Sequence, residues 1–223
     1  MNTQNLLLAF LIYAALEAAF RVSILVALAG WPCARWKVAT PHLSMLVSPG
    51  YWLAKNCKGV VPRRLRARLI ANYNLWNVLI SALVFVGVVA AQNEGYVLLG
   101  ITISLVLWRA ISRSFEIAIA FSNDITTSRN SSRLRNASRM KLAIRSYFEI
   151  FLYSAALYSA SAEKFQELSQ ALLASLYVGT LTNVAFVAEA LPIAHLAFLQ
   201  VFATLSLVVL SIAGYLGRVK RGA

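Results

Sequence analysis

The chain has 223 residues, of which 60% are hydrophobic and 13% charged, where a soluble domain carries about 25% charged residues. One soluble core of this length cannot hide that much apolar surface, so a soluble globular domain, a disordered chain and a disulfide scaffold are excluded. The 21 Lys and Arg against 8 Asp and Glu give a net charge of +13, which in a membrane protein points to positive-inside connections and anionic lipid headgroups, not nucleic acid.

A membrane-crossing helix needs about 20 largely apolar residues. Residues 6–31 supply the first, interrupted by Glu17 and Arg21. Met1 to Asn5 contain no Lys or Arg, which argues against a cleaved signal peptide. The connection 32–74 carries Thr40-Pro41, a cap with a first-turn proline, and then Pro49-Gly50, a break. Tyr51, Trp52 and Leu53, with Lys55 and Lys58 beside them, predict an interfacial helix on the inner leaflet. Pro62 opens the next helix, whose Arg63, Arg64, Arg66 and Arg68 meet headgroups before it enters the second span at 75–91. Cys33, His42 and Cys57 match no common zinc spacing, so no metal or other cofactor is expected. The third span is 96–121, with Arg109, Arg113 and Glu116 inside it. The fourth, 146–160, begins within the basic stretch before it, and the last is 191–216. Between these two, the apolar run 168–186 has the length of a re-entrant segment.

Charge sets the orientation. The connections after the first and third spans and the C-terminal tail hold 17 of the 21 basic residues. The segment 92–95 has none, and 161–192 has only Lys164. The expectation is an all-α, multi-pass protein of the cell's inner (plasma) membrane. It has five transmembrane helices, its N-terminus outside and its C-terminus in the cytoplasm. The glycosylation-type triplets at Asn130 and Asn136 then fall on the wrong side for modification. Glu94, Glu163, Glu167 and Glu189 fall on the outer face, where carboxylates at a mouth would concentrate cations and otherwise form a solvated loop surface.

Glu17 and Arg21 lie four apart and share a helix face. Counted inward from the outer end, Glu17 matches the depth of Arg109, and Arg21 matches that of Arg113 and Glu116. Charges at such depth pair or line a path. Arg109 and Arg113 alone, followed by an acid, lack the repeated three-residue spacing of a voltage sensor. Pairing of Glu17 with Arg109 and of Arg21 with Glu116, holding spans one and three together, is the preferred reading.

Residues 169–192 read SQALLASLYVGTLTNVAFVAEALP. A short apolar helix is followed by Gly179, two threonines, an irregular stretch and a proline. A helix ending inside the membrane offers its negative dipole end and free carbonyls to a cation. The sequence read alone therefore suggests a pore helix and filter loop. Thr180-Leu181-Thr182-Asn183-Val184-Ala185-Phe186-Val187 resembles the T-x-T-T-V-G-Y-G filter of the tetrameric potassium-channel family. Pro192 resembles the proline after that filter, and residues 198–219 resemble the inner helix. The resemblance covers 144–219 and leaves 1–143 as a separate three-span region. It implies a homotetramer whose pore module, 144–223, conducts a monovalent cation through Thr180, Thr182, Asn183, Val184, Ala185, Phe186 and Val187. Ala185 and Val187 stand where the family has glycines, Ala188 replaces its acid with Glu189 next along, and Asn183 replaces a threonine. Potassium selectivity therefore does not carry over. Two loop states remain open: a wider filter lined by Asn183 and Thr182, or a collapsed one.

Two function classes follow: a pore-loop channel with altered selectivity, or a channel-like sensor or effector that does not conduct selectively. An enzyme is not expected, since no nucleophile–base pair or metal set shares a depth and His195 stands alone. On the last span, Phe202, Leu205, Val209 and Ile212 share one face. That face either forms a hydrophobic gate on the axis or packs on the outer helix.

Overall fold

A computed structural model describes residues 3–30, 48–92, 96–126 and 136–219. Cys33, Thr40-Pro41, His42, Glu94 and Asn130 lie outside the described residues, as do the side chains of Asn136 and Ile212. Every regular element among the described residues is helical. In chain order these are α1 (Thr3–Ala29), α2 (Pro49–Val60), α3 (Arg63–Ala91), α4 (Tyr96–Thr126) and α5 (Asn136–Ser161). A single 3₁₀ turn, Glu163–Phe165, leads to α6 (Leu168–Gly179), α7 (Val184–Ala190) and α8 (His195–Val219).

Two helical segments, Gln4–Leu28 and Arg64–Ala91, are long and apolar enough to cross a membrane. Both leave an apolar stripe uncovered by protein. Leu7, Leu8, Leu11 and Leu16 are exposed on α1, and Leu75, Trp76, Leu79, Leu83 and Val86 on α3. An apolar face of that length is stable against lipid chains and not against water.

The long helices alternate in direction. Phe20 meets Tyr73 and Leu25 clusters with Leu69, so α1 and α3 run oppositely. Arg109 meets Tyr153 and Arg113 meets Glu149, so α4 and α5 also run oppositely. Asn74 bonds Ser146 at 3.0 Å while Gln92 bonds Ser159, so α3 and α5 run alike. Phe115 contacts Phe202, and Ile117 clusters with Leu207, so α4 and α8 run alike. α1, α4 and α8 therefore point one way, and α3 and α5 the other.

α2 departs from the expected interfacial placement. Ser48 caps it by accepting the Tyr51 N–H at 3.2 Å, with Pro49 in the first turn. This end is buried between α1 and α4: the Ser48 hydroxyl donates to the Ser112 carbonyl at 2.9 Å. Gly50 makes the insertion possible. A Cβ there would lie 3.1 Å from both Glu116 Oε2 and Glu17 Oε1. Only the far end of α2, with exposed Lys55 and Gly59, keeps a surface position. Cys57, between them, is fully buried with Leu25, Leu69 and Tyr73, and that burial pushes its thiol pKa up.

Candidate functional site

α6 folds back along α5. Ser175 donates to the Phe151 carbonyl at 2.8 Å, and Gly179 reaches the level of Tyr147, where a Cβ would lie 2.9 Å from the phenol oxygen. Starting from the same end at which α5 finishes, α6 thus returns about 18 Å for its 12 residues. α7 then runs back outward. Phe186 stacks edge-on against Tyr177, and the Lys164 ammonium sits 3.9 Å from the Phe186 ring centroid. The result is a helical hairpin whose tip is Thr180–Asn183.

Neutral hydrogen bonds fix the hairpin. Gln200 of α8 donates to the Ser175 carbonyl and hydroxyl at 2.9 and 3.0 Å, and accepts the Tyr158 hydroxyl at 2.6 Å. Tyr158, Ser175 and Gln200 are all buried, and every one of these polar atoms faces another. Around them pack Ala155, Ala156, Ala171, Ala174, Val178 and Val187. The small residues let α5 and α6 approach closely.

The filter positions adopt a different conformation from the one the resemblance implies. Val184, Ala185, Phe186 and Val187 are helical, within α7. A carbonyl-lined filter requires extended and left-handed backbone, for which glycine is suited. With alanine and valine at 185 and 187, nothing favours that geometry, and the segment closes its carbonyls into helical bonds. Val187 is buried in the core, whereas Ala185 and Phe186 are exposed, as a 100° rotation per residue requires. The left-handed residue is Leu181 instead, with φ 60°.

The α6 C-terminus is also less open than expected. The carbonyl of Leu176 accepts the Thr180 N–H and, at 2.7 Å, its hydroxyl. The Tyr177 and Val178 carbonyls accept the N–H groups of Thr182 and Leu181. What the tip presents is therefore the paired hydroxyls of Thr180 and Thr182, 3.0 Å apart, and the Asn183 amide, which makes no capping bond. Thr180, Thr182, Asn183 and Glu189 are all exposed. So is the proposed gate face: Phe202, Leu205 and Val209 are 45%, 42% and 57% exposed. Within one chain this face does not pack on α5; the face that does carries Ala203 and Leu207.

A second buried site joins the N-terminal helices to this module. Arg109 contacts Glu17, and Arg21 meets Glu116 at 2.7 Å, the two expected pairs. Arg21 also bonds Glu17 on its own helix, and Arg113 meets Glu116 at 3.0 Å. The addition that sequence reasoning missed is Glu149 of α5. Both its oxygens accept Arg113 Nε at 2.8 Å, and Arg109 lies 3.9 Å away. Three arginines and three glutamates thus form one neutral network across α1, α4 and α5. Asn77 of α3 accepts from Arg109 at 2.7 Å, and Tyr73 donates to the Arg21 carbonyl at 2.8 Å. Each carboxylate of the network is held by an arginine. Glu149 stands near the inner start of the expected span 146–160, so depth did not match it to Arg113; the cue for Gln200 was an amide in an otherwise apolar helix.

No protein-family model matches this sequence, and no curated protein or solved structure shows significant similarity to it.

Proposed function

We propose that the chain is one subunit of a homotetrameric pore-loop channel of the cell's inner membrane, conducting a monovalent cation without the potassium-type filter. In this reading α1, α3, α4, α5 and α8 are five crossings, consistent with their alternating directions. The N-terminus lies outside and the basic connections lie in the cytoplasm. The observation that carries the reading is the α6–α7 hairpin. It is anchored on α5 and α8 through Ser175, Tyr158 and Gln200, and its polar tip, Thr180, Thr182 and Asn183, is exposed among the described residues. Polar groups at membrane depth need protein or water around them. Symmetry copies would enclose the Thr180, Thr182 and Asn183 tips around a shared aqueous axis, with the exposed α8 face below.

The helical state of 184–190 favours a second reading, in which the scaffold assembles but does not select or conduct. Flux of potassium, sodium and chloride from liposomes holding purified protein separates the two. The channel reading expects cation flux, altered by Asn183→Ala. Absence of flux from correctly assembled tetramers supports the non-conducting scaffold, and a cross-linked size other than four removes the tetramer.

A further inference from the structure

We propose that α2 is a wedge whose insertion sets the position of the α6–α7 hairpin, making the segment 48–60 a regulatory element of the membrane module. The inference rests on the helix packing and does not require the hairpin to conduct.

The contacts of α2 are those of an inserted plug. Its first residues, Ser48, Pro49 and Gly50, are buried. The Ser48 hydroxyl meets the Ser112 carbonyl at 2.9 Å and its hydroxyl at 3.1 Å, and Glu17, Arg21 and Glu116 lie around Gly50. A helix N-terminus carries partial positive charge, so facing it with Glu17 and Glu116 is favourable. By contrast α2 contributes no side-chain ion pair to the network. Its hold includes the serine pair, the dipole, the Asn123 amide donating to the Tyr51 hydroxyl at 3.3 Å, and the apolar contacts of Leu53 and Cys57.

What the wedge touches is tied to the hairpin by short bonds. Glu116 and Arg113 are 3.0 Å apart, and Arg113 holds Glu149 through both oxygens. Two residues further along α5, the Phe151 carbonyl accepts Ser175 of α6, which Gln200 in turn grips. Glu149 and Phe151 belong to one rigid helix, so moving Arg113 against Glu149 shifts the anchor of the hairpin. Withdrawal of α2 would leave Glu116 without its dipole partner and free Arg113 to move.

Gly50 is the place to push. A Cβ there would also meet Arg21 Nη2 at 3.2 Å, so Gly50→Ala crowds the network and Gly50→Val overfills it. Cys57 reports the wedge: with Cys33→Ser it is the remaining thiol of the two, and it reacts with maleimide only when α2 lifts. A reporter at the tip is Thr182→Cys in a chain lacking both native cysteines. Gly50→Val should raise Cys57 labelling about tenfold or more, since labelling of a buried group follows the open population. It should also change labelling at position 182 several-fold, with Gly50→Ala intermediate at both. Ser48→Cys combined with Ser112→Cys, oxidised, should lock the wedge and return labelling at 182 to that of the Gly50 chain. If Cys57 becomes reactive while position 182 does not change, the wedge is uncoupled and the proposal fails. It fails equally if neither Gly50 variant exposes Cys57, or if the lock leaves the effect at 182 intact.

Discussion

The molecule holds its two halves together by opposite means. α1 and α4 meet each other and α5 through buried formal charges, and the hairpin meets α5 and α8 through neutral hydrogen bonds and small side chains. A buried ion pair gains little over an apolar contact of the same shape, but breaking it by removing one partner is very costly. A buried hydroxyl or amide is cheaper to lose. Charge therefore sets the register of α1, α4 and α5. The hairpin sits in a setting where substitution, and movement, cost less. Under the channel reading, a rigid frame around an adjustable tip is what the pore loop needs, and the contrast can be broken from either side.

The largest effect is expected in the network. Glu149→Ala leaves Arg113 and Arg109 facing a lost charge and should cost about 3–5 kcal/mol. Exchanging the first pair, Glu17→Arg with Arg109→Glu, should recover part of what either single change loses. Thermal unfolding in detergent measures both. A Glu149→Ala protein as stable as the parent would mean that the network is hydrated and that the two halves do not differ in kind.

A smaller loss is expected at the hairpin anchor. Gln200→Leu removes the acceptor of Tyr158 and the donor to Ser175 in one step, leaving buried polar atoms unpaired. About 1–3 kcal/mol should be lost, and Tyr158→Phe in the same chain should return some of it by removing an unpaired hydroxyl. If the double variant is no better than the single, the Tyr158–Gln200 bond is not what Gln200 contributes.

How far the sequence foretold these two regions differs as well. Periodicity and charge located the long helices, and the depths of Glu17, Arg21, Arg109 and Glu116 matched them into pairs, because hydropathy sets depth along a straight helix. Glu149 escaped because matching it required knowing that α5 packs against α4, which no local pattern reveals. Pro49-Gly50 was read as a break when it is the buried start of a helix; a glycine that admits close approach and one that ends an element look alike in one dimension. At 184–187 the resemblance supplied an extended filter, while the residues themselves, Ala185 and Val187, argued for something else. The local backbone preference prevailed, and the segment is helical.

Closer packing gives the next test. Gly179→Ala would set a methyl 2.9 Å from the Tyr147 phenol oxygen and 3.2 Å from Gln200 Nε2. The phenol is the end of a movable side chain, so the cost should stay near 1–2 kcal/mol, in the range of modest overpacking. Tyr147→Phe should relieve most of it. A Gly179→Ala chain that loses nothing would show that the hairpin tip already shifts by several tenths of an ångström, sharpening the view of it as the adjustable half.

The smallest effect on stability is expected at the tip itself. Asn183 is exposed, precedes α7 with φ −147° and ψ 53°, and its amide caps nothing. Surface positions of this kind usually change stability by less than about 0.5 kcal/mol, so Asn183→Ala should unfold with the parent. Thr182→Val should cost slightly more, because the Thr182 hydroxyl pairs with that of Thr180 at 3.0 Å. Under the channel reading these two positions, nearly silent in unfolding, are the ones that change ion flux. The network positions, by contrast, change assembly and stability first. Measuring flux and unfolding on the same preparations therefore tests the division itself. Flux that follows stability across all the variants would make the tip one more structural turn. Flux that changes at Asn183 and Thr182 while unfolding stays put would mark the tip as the place where the ion is met.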